Sequence, residues 1–272
     1  MTITATSDLV MDAEVDAFHR DGAIVLRDLF GDWIEVLRRG IERNIAEPSA
    51  DAHIYNDDKG ARFFGDYCSW ARIPEYRAFA FDSPAGMVAA RLMASCTARL
   101  FHEHVLVKEP GVDIPTPWHH DQPYYCVDGA QNVSLWLALD EVPADTCVRF
   151  VTGSHRWGRW FRPERFNKSP LNPDDGLESA PDIDGDPGTY RILAWDMAPG
   201  DAIAFNFLTL HGAPPNRSLE RRRRAFSTRW VGDDATFTRR DAVTSPPFRD
   251  VTLGPGDPLD APEFPLVYPR AN

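Results

Sequence analysis

Three residues carry the clearest capacity for chemistry: His119 and Asp121, two residues apart in PTPWHHDQPYY, and His211 in LTLHGAPPN. Side chains of an extended strand alternate between faces, so His119 and Asp121 share a face from which His120 is turned away. An imidazole and a carboxylate placed in this way grip one side of a cation. The third ligand must come from elsewhere, and His211 stands ninety residues beyond Asp121, at the end of the apolar run AIAFNF. Two histidines and one carboxylate on one face leave part of a metal's coordination sphere open, which suits ferrous iron that activates oxygen. A chelating 2-oxo acid and O₂ are ligands of the right kind for the open positions. The remaining histidines of this region, His102, His104, His120 and His155, are read as packed or surface residues.

The run RRRRAFSTRWVG (221–232) follows. Alternation along a strand puts Arg223, Ala225, Ser227 and Arg229 on one face, with Phe226, Thr228 and Trp230 on the other. A buried arginine twelve residues past His211 can hold the distal carboxylate of a dicarboxylate cosubstrate, because its planar fork pairs with both oxygens. A solvated basic hairpin is the plainer explanation for some of the four arginines, but it explains less well the small residues Ala225 and Ser227 inside a strand pattern.

These residues need a scaffold. MDAEVDAFHRDG reads as a helix ending at Gly22, AIVLRDLF (23–30) as a buried strand, and Asp32 to Ile45 as a helix with Trp33, Val36, Leu37, Ile41 and Ile45 at helical spacing. SPAGMVAARLMAS (83–95) has Ser83 as N-cap and Pro84 at the favoured first position. From residue 97 the texture changes to short strand-like runs: ARLFHEHVLVKE, PTPWHHDQPYY, QNVSLWLALDEV, CVRFVTGS, RILAWDM, DAIAFNF and RRAFSTRWVG. Their number and turn-rich spacing predict a sandwich or barrel. The polar stretch 162–189 reads as a lid or insertion, and the final thirty residues, with seven prolines, as an irregular tail over the surface.

With 272 residues and 43% hydrophobic content, the chain has material for one large domain with a sizeable core. A formal charge of −12 argues against nucleic acid and anionic membranes as partners. No run approaches the roughly 20 apolar residues of a membrane span. The N-terminus lacks the basic start and apolar stretch of a secretory signal, and Cys68, Cys96, Cys126 and Cys147 show no CxxC spacing, so a cytoplasmic enzyme with free thiols is expected.

Together the motifs KEPGVDIPTPWHHDQPYY (108–125), SLWLALDEV (134–142), CVRFVTGSH (147–155), MAPGDAIAFNFLTLHGAPPNRS and RRAFSTRW make the chain resemble the phytanoyl-CoA dioxygenase family of Fe(II)/2-oxoglutarate oxygenases, over about residues 15–235. The resemblance implies a mainly β fold with flanking helices around a double-stranded β-helix, the cupin-like jelly roll. In a single oxygenase domain, residues 10–96 would form a helical cover, 97–235 the jelly-roll core and 243–272 the Pro-rich tail. It also implies iron at His119, Asp121 and His211, and 2-oxoglutarate held by Arg223, with Arg222 as the neighbouring alternative. Lys108 and Trp136 would line the cosubstrate pocket. Family members often carry Ser two residues after the distal His; here Ala213 stands there, leaving Ser227 or a water to substitute. Relatives that halogenate lack the carboxylate supplied here by Asp121, so hydroxylation, desaturation or cyclisation of a small molecule is expected.

Tyr124, Tyr125 and Arg149 are candidate substrate contacts by proximity. Arg156, Arg159, Arg162, Arg165 and Lys168 form a possible basic rim for an anionic or acyl substrate. Two other readings stay open: a cupin-like metalloenzyme that does not use 2-oxoglutarate, and a non-catalytic binding module on the same barrel.

Overall fold

Three strands bury both of their faces, and that decides the architecture. β4 (Ala98–Lys108), β7 (Asn132–Ala138) and β12 (Arg223–Val231) lie side by side and antiparallel, with β12 in the middle. One face carries Val105, Val107, Leu135, Leu137, Phe226 and Trp230 into a core shared with the helices. The other carries Trp136, Ala138 and Ala225 into a second apolar cluster. Such strands read as continuous apolar runs interrupted by functional residues, rather than as an apolar/polar alternation.

The computed structural model describes residues 9–165, 169–172, 176–186, 188–241 and 243–270. In the large sheet the order is β1 (Ala23–Leu26), β10 (Ala202–Phe205), β7, β12, β4, β3 (Arg62–Tyr67), β2 (His53–Asn56), and β14 (Leu266–Tyr268) also pairs with β4. A four-stranded sheet runs β5 (Thr116–His119), β11 (His211–Ala213), β8 (Arg149–Val151), β9 (Ile192–Leu193). A two-stranded sheet pairs β13 (Thr236–Phe237) with β6 (Val127–Asp128). The four-stranded sheet contributes Phe150 and Ala213 to the cluster that holds Trp136, Ile203 and Phe205 of the large one. Two antiparallel sheets packed in this way, not closed into a barrel, form the jelly roll.

Helices α1 (Asp12–Asp21), α2 (Ile34–Ala46), α3 (Pro74–Asp82) and α4 (Ala85–Met93) cover the opposite face of the large sheet. α1 stops at Gly22, whose φ of 81° is the left-handed conformation that glycine adopts without strain. At α4, Pro84 precedes the first helical residue and Ser83 Oγ accepts a hydrogen bond from the Ala85 N–H at 3.2 Å.

Three expectations need correction. The strand expected over 23–30 ends at Leu26, because Asp28 has a φ of 50° and its N–H donates to Asp201. The segment 10–96 is not only a helical cover: β1, β2 and β3 belong to the large sheet, and α3 lies between β3 and α4. β3 has no readable alternation because Phe63 and Phe64, on opposite faces, are both buried. The tail is not wholly irregular, since Leu266 and Tyr268 pair with Arg99 and Ala98 of β4.

Glu103 of β4 is 1% exposed, and its Oε2 has no hydrogen-bond partner among the described residues. Burial pushes its carboxyl up to about 8, against the backbone N–H groups of Ser69 and Trp70, which favour the anion. The folded-state value lies above the unfolded one, so the neutral carboxyl's contribution to stability is complete below about pH 4.3 and is lost as pH rises towards 8. Thermal unfolding of Glu103→Gln beside the wild type should show the wild type losing stability relative to the variant across that interval. Parallel curves would contradict an ionisable group at this position.

Candidate active site

β5 and β11 pair so that His119 stands opposite His211, with ring centroids 4.2 Å apart. The strand ends at His119, and a turn at Gln122–Tyr124 brings Asp121 to the same side; the Asp121 N–H donates to Phe207 O at 2.9 Å. His119 and Asp121 therefore meet through a strand end and a turn rather than through strand alternation alone. His119 Nε2 lies 3.4 Å and His211 Nε2 3.8 Å from Asp121 Oδ1. All three ligand atoms lie within 4.8 Å of one another, the only such grouping of His, Cys, Asp or Glu among the described residues.

The ring orientations suit a cation. His119 Nδ1 is 2.8 Å from Pro117 O, and His211 Nδ1 is 2.8 Å from Thr209 O. A carbonyl only accepts, so each Nδ1 carries the hydrogen and each Nε2 offers its lone pair to the common point. Thr209 is itself fixed, its Oγ1 donating to Gly22 O at 2.7 Å. A Cβ on Gly22 would come within 2.6 Å of that hydroxyl, so the α1 terminus and the turn that delivers His211 are fitted to each other. Burial pushes His211 down to about 3, which keeps it neutral at physiological pH. For Asp121 burial acts upward, but the imidazoles that meet Oδ1 and the positive Arg229 guanidinium outweigh it and hold the carboxyl well below the usual range. Two neutral nitrogens and one carboxylate are a donor set that fits ferrous iron.

Arg223 and Lys108 face each other across β12 and β4. They are 8% and 2% exposed, yet neither has an acidic partner among the described residues. Lys108 Nζ donates to Ile114 O at 2.6 Å and Pro214 O at 3.4 Å, and sits 4.9 Å from the Phe63 ring centroid. Arg223 Nη1 donates to Thr146 O and to Pro214 O. Burial pushes Arg223 down to about 10, and burial with the charge of Arg223 takes Lys108 well below its ordinary value. Two adjacent buried cations answered only by carbonyls are a costly arrangement that an incoming anion relieves. The other arginines of the run differ: Arg221 pairs with Glu141, Arg222 with Glu109 and Glu42, and Arg224 with Asp140.

The triad and the cation pair line one cavity of about 470 Å³, with Trp136, Tyr124, Tyr125 and Ala213 also in its wall. Ser227 and Arg149 are not part of the lining. Ser227 Oγ is buried without a hydrogen-bond partner among the described residues, whereas Arg149 lies over the Trp118 ring and pairs with Asp184 at 3.0 Å. His120 packs on Phe161 with ring centroids 4.8 Å apart, away from the cavity. Of the basic rim only Arg165 lines the cavity; Arg159 is paired with Glu178, Arg156 donates to Arg20 O, and Lys168 lies outside the described residues.

Several lining residues escaped sequence reasoning. Arg229, which alternation already places on the face of Arg223, was given no role there, and His104 and His102, read as packed or surface residues, share the inward face of Lys108. His53, Tyr55 and Tyr67 come from strands without a readable pattern. Pro163 to Arg165, Leu171 and Val243 to Pro247 complete the wall from the insertion and the tail.

The profile of the phytanoyl-CoA dioxygenase (PhyH) family matches residues 18–225. The dioxygenase lolE1 of Epichloe uncinata is 26% identical over 170 residues, and the chain spans 60% of that relative's length and matches it over 60% of its own. In fold the chain is similar to SnoK, a non-heme alpha-ketoglutarate-dependent carbocyclase from nogalamycin biosynthesis, with a TM-score of 0.73, 24% identity and coverage of 97% of this chain and 98% of SnoK. The epimerase SnoN, solved with Fe3+, alpha-ketoglutarate and nogalamycin RO, aligns with a TM-score of 0.70 at 21% identity over 93% of this chain and 96% of SnoN. EctD from S. alaskensis, solved with 2-oxoglutarate and 5-hydroxyectoine, aligns at 0.69 and 21% identity over 95% of this chain and 87% of its own. The structural likenesses establish a shared fold, and the family match, running from α1 into β12, establishes kinship: the chain belongs to the phytanoyl-CoA dioxygenase (PhyH) family.

Proposed function

We propose that this chain is an iron- and 2-oxoglutarate-dependent oxygenase that hydroxylates an unactivated C–H bond of a small molecule and releases succinate and CO₂, with iron at His119, Asp121 and His211 and 2-oxoglutarate anchored by Arg223 and Lys108. The observation that carries this reading is the buried Arg223–Lys108 pair, which has no acidic partner among the described residues and lines the same cavity as the triad. Iron at such a site supplies oxygen activation coupled to oxidative decarboxylation of the 2-oxo acid. The protein's share is positional. His119 and His211 present fixed lone pairs, Arg223 receives the distal carboxylate on its free N–H groups, and Lys108 adds a point charge beside it.

The rest of the cavity suits a ring-bearing substrate. His53, Tyr55, Phe63, Tyr67 and His104 form a run of neighbouring rings with centroid separations of 5.7–6.0 Å. His104 is pushed down to about 3 by burial and the charge of Arg229, and Tyr67 up to about 12 by burial, so both are neutral at physiological pH. Arg249 at this wall is paired with Asp51 at 2.7 Å. A neutral aromatic surface holds the face of a planar or hydroxylated ring better than an anionic acyl chain.

Metal-free protein loaded anaerobically with Fe(II) and given 2-oxoglutarate and O₂ should form succinate slowly without a substrate, and Asp121→Ala should form none. Absence of succinate from the wild type, with no calorimetric binding of 2-oxoglutarate, would favour the binding module. Arg223→Ala should raise the KM for 2-oxoglutarate by roughly thirty- to a thousandfold, the loss of about 2–4 kcal/mol for one partner of a buried charge pair. Arg223→Lys should fall between. An unchanged KM in Arg223→Ala would favour the metalloenzyme that does not use 2-oxoglutarate.

A further inference from the structure

Arg229 is a buried cation that the cosubstrate does not explain. It is 5% exposed and lies on the cavity face of β12, six residues beyond Arg223. Its Nε donates to Tyr125 Oη at 3.0 Å and its Nη1 to Ser227 O at 3.1 Å. Its Nη2 faces Asp121 Oδ2 at 3.7 Å, and Asp121 is its only carboxylate partner among the described residues.

The two oxygens of Asp121 are not equivalent. Oδ1 faces both imidazole Nε2 atoms and accepts a hydrogen bond from Tyr124 Oη. Oδ2 is buried, has no hydrogen-bond partner among the described residues, and looks towards the guanidinium. A carboxylate free to rotate can chelate an ion through both oxygens and so fill a position that the cosubstrate or O₂ needs. The guanidinium opposes that rotation by attracting Oδ2, and Tyr125 and the Ser227 carbonyl keep the guanidinium from following. We propose that Arg229, held by Tyr125, is a positioning residue that keeps Asp121 as a one-oxygen ligand through Oδ1 and so preserves the open face of the metal.

This inference rests on the reading of His119, Asp121 and His211 as metal ligands. It also runs against simple electrostatics: a fixed positive charge near a divalent ion repels it, so if Arg229 acted through charge alone its removal would tighten metal binding. If it acts by orienting the carboxylate, removal weakens binding, as loss of partners that orient metal ligands generally does.

Titration of metal-free protein with Co(II), followed by calorimetry and by the visible absorption of the bound ion, separates the possibilities. Arg229→Gln should bind Co(II) about 10- to 100-fold more weakly than the wild type and with a shifted absorption spectrum. Arg229→Lys, which keeps the charge without the fork, should recover part of the affinity but not the full spectrum, and Tyr125→Phe should lie between wild type and Arg229→Gln. Circular dichroism and thermal unfolding of the metal-free forms establish that each variant is folded; if Arg229→Gln is not, the Lys and Tyr125→Phe variants carry the comparison. Unchanged affinity with an unchanged spectrum, or tighter binding, would overturn the positioning role. Failure of the wild type to bind Co(II) would instead sink the metal-site reading on which the inference rests.

Discussion

The register of β12 between β4 and β7 is the constraint on which the site depends. Phe226 and Trp230 are buried against the helices, while Arg223, Ala225 and Arg229 face the cavity. Burying each large apolar side chain contributes about 1.5–3 kcal/mol. A slip of one residue would move Phe226 and Trp230 into the cavity and drive the arginines into the helix-covered core, where their charges have no answer. The apolar half of the strand therefore decides where the polar half points, and the distance between the two arginines is set by strand geometry rather than by the arginines themselves.

The same strand explains how a chain of net charge −12 holds a cationic pocket. Acidic residues answer the outward arginines: Glu141 for Arg221, Glu109 and Glu42 for Arg222, and Asp140 for Arg224. Inside the cavity the balance is reversed: Arg223 and Lys108 have no acidic partner among the described residues, and Arg229 has only Asp121. Iron added to that site raises the positive excess, and a dianionic 2-oxo acid is the ligand class that removes it. Arg223 and Arg229 stand six residues apart on the cavity face of β12, and of the two only Arg229 has a carboxylate partner among the described residues.

The elements legible in the sequence were those whose pattern has a single physical cause. α1 and α4 announced themselves by a terminal glycine and by Ser83–Pro84, and the strand face of Arg223 followed from a period of two. The meeting of His119, Asp121 and His211 was anticipated, although the means differ, because a turn rather than continued strand brings Asp121 round. What stayed hidden has physical reasons. β3 is buried on both sides and so has no alternation, and β2 is an edge strand whose exposed residues show no apolar face. Arg149 was attractive by proximity alone, but Trp118 and Asp184 hold it outside the lining. Ser227, offered as a stand-in for the hydroxyl missing at Ala213, is fully buried and does not line the cavity, although its strand neighbours Ala225 and Arg229 do.

Division of labour along the chain follows. Triad and cation pair come from β4, β5, β11, β12 and the turn at Asp121, all within the two sheets whose packing forms the core. The ring-lined wall comes chiefly from β2 and β3 at the sheet margin, and its cover from the insertion and the tail. At the exposed edge, His53 and Tyr55 of β2 lie outside the core that holds Phe226 and Trp230. The triad and the cation pair are therefore tied to the register of the core strands, whereas much of the remaining wall comes from β2, the insertion and the tail, which carry no period of two, so spacing in the sequence could bring the first together and not the second.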